Sequence, residues 1–356
     1  VTLWLSGSAS PAGRRKRAAA SRRSVRNAAA PISGKRADLL DFQSYLEARE
    51  HLIAGGRALS LILGGGAGVS LALVLLGRRE ARGAGVVLFL LQSLGLLFLF
   101  WFHLRIYRAF SFPSPPEGNP VRPLPPLWIE GEKLYFWAFL LGAYGLFSWR
   151  RDPGPFPRAV EAARALFLLL SLLVQNPFLS PLPGLHRELS FLASLESSDF
   201  QALMLRAMFA ERVQGFYNSS YMWIHPPLLF AAYAALIPSF LGALFHLLGY
   251  RTGEELAYRY GRWGYLLLSA GLFLGYPWTL AAWKDLPWWW DPKVNLSIMM
   301  WVFYTAYLHL RLWGGARGRE LSVPLNLLSF IVLVATYLAT YLLPGVHSSA
   351  GGGEVQ

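Results

Sequence analysis

Between residues 54 and 343 the chain alternates long apolar runs with short charged or proline-rich connections, and that alternation limits it to helices in a bilayer. A helix crosses a hydrocarbon core about 30 Å thick with about 20 apolar residues. In lipid every backbone N–H and C=O needs an internal partner, which a helix supplies within its own segment. Candidate spans fall at about 54–76, 84–104, 133–149, 160–176, 223–248, 262–283, 295–313 and 323–343. The fourth is the weakest, because it is short and begins with charged residues. The expected fold class is an all-α polytopic integral membrane protein with about eight transmembrane helices and an external tryptophan-rich loop.

Lys and Arg in short loops mark the cytoplasmic side. By that rule "GRREARG" (77–83), "WRRDPGPFPR" (149–158), "GYRTGEELAYRYGR" (249–262) and "RLWGGARGRE" (311–320) lie inside. The loops 105–131, 177–222 and 284–294 and the C-terminus then lie outside. The formal charge of +13 resides largely in these inner turns and in "GRRKRAAASRRSVR" (13–26), a distribution that suits topology signals and no nucleic-acid partner. Residues 1–50 read as a basic and polar N-terminal extension, with 1–36 disordered, and 51–350 as the transmembrane domain. The extension lacks the apolar stretch of a signal peptide. An even number of spans puts its basic cluster on the outer side, against the rule, and a misplaced translation start is the preferred account. Within 177–222, Phe191, Leu192 and Leu195 suggest an interfacial amphipathic helix, although Glu196 interrupts its apolar face.

The chain has no cysteine, so any thiol chemistry must use a partner's thiols. Its histidines fall at two depths. His225 opens the fifth span, with Pro226 and Pro227 expected in the first helical turn, where a missing N–H costs nothing. His347 follows the last span, at the level of Trp288, Trp289 and Trp290. His309 lies 14 residues beyond Asn295, about 21 Å deeper at 1.5 Å per residue. Imidazoles facing each other across a flat apolar cavity can ligate a haem iron. The plainer alternatives are an interfacial tryptophan belt, hydrogen-bonding roles for His225 and His347, and a His309 that snorkels to the headgroups. His246 sits about one helix length from His225, and His51, His103 and His186 carry no pattern that recommends them as ligands.

"WWWDPKVNLSIMMWVFYTAYLHLR" (288–311) resembles the tryptophan-rich signature of the cytochrome c assembly proteins, the haem-handling membrane family with CcmC, CcmF and CcsA branches. "PLWIEGEKLYFWAF" (126–139), "QNPF" (175–178), "HPPLLFAAYAAL" (225–236) and "GVHSSA" (345–350) resemble further motifs of that family in the same order. "DPK" and "YLHLR" lean toward CcsA, "HPPLL" and "QNPF" toward CcmF, and the length fits a compact CcsA-like or CcmC-like member. The resemblance implies His225 and His347 as axial ligands of a haem b at the external face. It implies Trp288, Trp289, Trp290 and Asp291 as the platform between them, and His309 as a ligand to an inner haem. It further implies a prokaryotic plasma membrane location and three kinds of partner beyond membrane lipid: apocytochrome c with its CxxCH segment, a ResB-like membrane subunit and a haem chaperone. Three functions stay open: the membrane component of a cytochrome c haem lyase, a haem carrier or exporter that loads a chaperone, and a respiratory-complex membrane subunit.

Overall fold

A computed structural model describes residues 41–109, 126–195, 200–217, 220–282 and 287–345, all of them in helices or the links between helices. The extension 1–36, most of the proline-rich connection, Trp283 and His347 lie outside the described residues. In chain order the helices are α1 (Phe42–Leu75), α2 (Ala81–Ala109), α3 (Glu132–Arg151), α4 (Phe156–Val174), α5 (Pro183–Ser194), α6 (Phe200–Tyr217), α7 (Ser220–Leu247), α8 (Gly253–Ala282), α9 (Pro292–Trp313) and α10 (Gly315–Leu342). A 3-10 turn at Trp288–Trp290 precedes α9.

Each apolar run of the sequence lies on one of these helices. Among the described residues four of them, α1, α2, α7 and α10, are long and apolar enough to cross a bilayer. Charged residues in the terminal turns of α3 and α8 and inside α4, together with the tyrosines and tryptophans of α9, lower the hydropathy of the other four runs. The chain is thus an all-α, multi-pass membrane protein. Helices α1 to α4 pack on one another, α7 to α10 do the same, and α7 joins the two groups through α3 and α4.

The four basic turns meet at one end. Arg158 donates from the α3–α4 turn to the Gly77 carbonyl in the α1–α2 turn at 3.0 Å. Asp152 accepts from Arg259 at 2.7 Å and from the Tyr260 hydroxyl, reaching the start of α8. Arg311, near the end of α9, pairs with Glu254 and Glu255 in the first turn of α8. Each of these turns holds a glycine in the left-handed region, Gly77, Gly154, Gly249 or Gly315, where a side chain would be strained.

The charged residues that made the fourth run look weak are buried as a pair. Arg164 bonds Glu161 at 3.1 Å, the Gln92 side-chain oxygen at 2.7 Å and the Gly85 carbonyl at 2.8 Å, while Ser70 donates to Glu161 at 2.7 Å. A charge inside an apolar bundle is tolerated when it is paired and hydrogen-bonded, and this set ties α1, α2 and α4 together. The stretch between α4 and α7 holds two helices where the sequence suggested one. Helix α5 buries Leu189 and Leu192. Helix α6 buries Ala202 and Phe209 yet exposes Leu203, Met204, Leu205 and Met208, so its apolar residues show no single face for a pattern search to find.

Helix α7 corrects another expectation. It starts at Ser220, so Pro226 and Pro227 lie inside the helix rather than in its first turn. Two adjacent prolines remove the donors that would have bonded the carbonyls of Met222 and Trp223. The sequence favoured a later start because paired prolines after a polar stretch look like a helix opening.

Candidate functional site

His225 is seated on α7 against α8. Its Nδ1 lies 2.7 Å from the Gly271 carbonyl, which can only accept, so Nδ1 carries the proton and Nε2 keeps the lone pair of the neutral ring. A second hydrogen bond of this kind fixes the tautomer of metal-binding histidines and raises the basicity of the other nitrogen. Close approach depends on Gly275, where a Cβ would stand 2.5 Å from His225 Nδ1. The imidazole also stacks on Trp278, with ring centroids 6.0 Å apart. The same glycine stripe continues along α8: a Cβ at Gly264 would stand 2.5 Å from Leu236, and one at Gly271 2.7 Å from Leu229. Small residues let two membrane helices approach closely, and here they hold His225 at a fixed height.

The tryptophans differ among themselves. Trp288 is half-buried, with its ring 6.0 Å from Tyr276 at the end of α8. Trp289 and Trp290 are 53% and 76% exposed. Asp291 caps α9, accepting from the backbone N–H of Lys293 at 3.0 Å and of Val294 at 3.1 Å, and Pro292 follows as the first helical residue. Asn295 donates to the Trp289 carbonyl at 3.1 Å and fixes the turn from below. Asp291 thus orders the loop at the start of α9. The buried carboxylate also touches Gly345, where a Cβ would stand 3.2 Å from Asp291 Cγ. The turn is thereby joined to the segment that leads into His347, itself outside the described residues.

His309 is not brought to this end. It lies near the basic end of α9, exposed, with Nδ1 bonded to the Thr305 carbonyl at 2.8 Å and Nε2 left as the lone-pair nitrogen. It borders a shallow surface groove with Ala306, Leu310, Trp313 and Gly314. His246 Nδ1 is buried without a hydrogen-bond partner among the described residues.

Sequence reasoning missed a polar centre joining α2, α3 and α6. His103 is fully buried, with Nδ1 2.7 Å from the Tyr217 hydroxyl and Nε2 2.8 Å from Glu132. Glu130, two residues away, accepts from the backbone N–H of Gly184 at 2.7 Å and of Leu185 at 2.9 Å and so caps α5. Asn176 accepts from Ser60, Phe178 and Leu179, and Phe178 is buried edge-on against Tyr135. The "WIEGEK" and "QNPF" motifs therefore brace this end of the bundle. The available signal was the pair of acids flanking Gly131 ahead of an aromatic run. Their partners lie 29 to 55 residues distant in sequence, beyond any local pattern.

A profile of the cytochrome C assembly protein family matches residues 129–347. The cytochrome c biogenesis protein CcsA of Prochlorococcus marinus (strain NATL1A) is 39% identical over 97 residues, 27% of this chain and 30% of that protein. The protein of the same name from Synechococcus sp. (strain WH7803) is also 39% identical over 97 residues, 27% of this chain and 29% of that protein. The match thus spans about a third of the length of these curated relatives. No solved structure matches this chain.

Proposed function

The chain belongs to the cytochrome c assembly protein family, and from that membership we propose that it binds haem at the end of the bundle opposite the basic turns and presents it for covalent attachment to an apocytochrome c. The observation that carries this reading is His225, whose Nδ1–H is committed to the Gly271 carbonyl while its ring is held in the notch at Gly275. That arrangement fits an iron ligand: the lone pair is on Nε2, and the ring is fixed before any metal arrives. His347, two residues beyond Gly345, is the proposed opposite ligand, and contact between Gly345 and Asp291 favours its approach to the tryptophan turn. Trp289 and Trp290 offer exposed indole faces to an apolar ring, while Trp288 anchors the turn to α8.

When bound, haem supplies vinyl carbons for thioether bonds to the two thiols of a CxxCH segment. This chain has no cysteine, so both thiols come from the incoming protein. The chain's own contribution is orientation and exclusion of water. No acid or base of its own is assigned to the step. The enzyme reading is therefore the membrane component of a haem lyase, in a prokaryotic plasma membrane with the site on the external side. Eight spans, an N-terminal extension at 1–50 and a compact CcsA-like form with CcmF-like motifs belong to the same proposal. So does a ResB-like subunit that completes an inner haem site with His309, whose exposed position on α9 leaves it open to a neighbour.

The test is to purify the protein from haem-replete cells under reducing conditions and then to co-express it with an apocytochrome and a ResB-like subunit. Haem absorbance lost in His225→Ala and restored by added imidazole is the expected first result. Haem on the cytochrome that resists acid–acetone extraction is the second. Haem that passes only to a soluble chaperone would make the protein a carrier rather than a lyase, and absence of haem under every condition would leave it a structural respiratory subunit.

A further inference from the structure

Two lysines stand where a helix least favours them. Lys133 is the second residue of α3 and Lys293 the second of α9, each in a first turn, where the helix macrodipole already presents positive charge. Both are half-buried. Lys293 lies within electrostatic reach of Lys133 and of His225. Lys133 faces the Tyr341 ring at 5.9 Å, a cation–π contact. Glu130 attracts Lys133 and Asp291 attracts Lys293 across a distance, but the hydrogen bonds of the nearby carboxylates go to other groups: Asp291 caps α9, Glu130 caps α5, and Glu132 holds His103. Among the described residues neither ammonium forms an ion pair.

Two like charges thus stand within reach of one another, and Lys293 within reach of the proposed iron ligand. We infer that Lys133 and Lys293 form a clamp for the paired carboxylates of a porphyrin. The inference rests on the haem reading above and extends it. The carboxylates of protoporphyrin lie on one edge and its vinyl groups on the opposite one, so holding the first edge at α3 and α9 directs the vinyl groups away from the lysines. The clamp therefore sets which edge meets the incoming thiols.

The experiment titrates the purified full chain with iron protoporphyrin IX and with its dimethyl ester, which keeps the ring and iron but loses both charges. Wild type should bind the free acid at least about tenfold more tightly than the ester, the scale of one charge-assisted hydrogen bond. Lys133→Gln and Lys293→Gln should each weaken the free acid about tenfold and leave the ester unchanged, while Lys133→Arg and Lys293→Arg keep the preference. His225→Ala should weaken both porphyrins alike. Equal affinity of wild type for acid and ester overturns the clamp, including the case in which the lysines serve only lipid headgroups, and leaves the haem reading standing. Failure of wild type to bind either porphyrin overturns the haem reading and the clamp with it. If the Gln variants do not fold, the acid-to-ester preference of wild type and the Arg variants decides.

Discussion

At the scale of single residues, the site depends on groups whose partners are far away in sequence. Gly275→Ala should push the His225 ring out of its seat, because a Cβ there overlaps the imidazole. Overpacking of this kind costs about 1–3 kcal/mol, and haem retention should fall further than protein abundance. Gly65→Ala, on α1 with nothing within 4 Å of its added Cβ, is the matched control and should leave both unchanged. His103→Leu strands the buried Glu132 carboxylate, a loss of about 3–5 kcal/mol, visible as a lowered unfolding temperature in detergent. Glu132→Gln, which still accepts from the ring, should lose less. Among the tryptophans, Trp288→Ala should lower abundance through lost packing on Tyr276, and Trp289→Ala or Trp290→Ala should impair maturation at near-normal abundance. Equal losses at all three would contradict the division seen in their exposure. The sequence could nominate His225 and the tryptophans as candidates because their motif is local and dense. His103, Glu132 and the Gly271 carbonyl were not, because each acquires its role only when two helices meet.

Single elements show the same contrast between local and long-range signals. Among the described residues each apolar run falls on a helix, since a run of apolar residues is its own evidence of burial in lipid or core. Hydropathy misplaced the start of α7 and left α5 and α6 unresolved, since prolines and mixed faces carry no unique boundary. Helix α5 supplies the element-scale prediction. It is held by the Glu130 cap and by the Tyr45 hydroxyl, 3.1 Å from Nδ1 of His186. Burial first, and the like charge of Arg49 second, keep the His186 pKa below its ordinary value. Below about pH 6.5 the unfolded segment therefore binds more protons than the docked one, so stability rises with pH in that range. Docking of α5 should be complete above about pH 6.5 and weaken as the pH falls below it, with amide protection in 183–194, corrected for the intrinsic exchange rate at each pH, falling in step. His186→Phe should abolish that dependence; an unchanged pH profile would show that the Glu130 cap alone holds the helix.

The described helices are polarised, and under the proposed function that polarity sets the side of the membrane on which haem would be presented. The turns at 76–80, 152–155, 248–252 and 314–315 are linked by Arg158, Arg259 and Arg311 at one end. His225, the tryptophan turn, Lys133 and the Glu130 cap gather at the other. Under the proposed function, the Lys and Arg excess in short loops would hold that side in the cytoplasm and turn the candidate site outward, toward the thiols of an exported apocytochrome. The sequence is free of cysteine, so single cysteines can be introduced into the native chain without removing any. Exposed positions Glu80, Thr252 and Arg317 mark the basic end, and Ser180, Ser194 and Pro344 the opposite one. In intact cells a membrane-impermeant maleimide should label Ser180→Cys, Ser194→Cys and Pro344→Cys, and should reach Glu80→Cys, Thr252→Cys and Arg317→Cys only after the membrane is opened. The reverse pattern would place the tryptophan turn in the cytoplasm, and attachment to an exported substrate at this site would then be ruled out. A mixed pattern within either set would mean that the helices do not all cross, so the count of spans, rather than the direction of the bundle, would have to change.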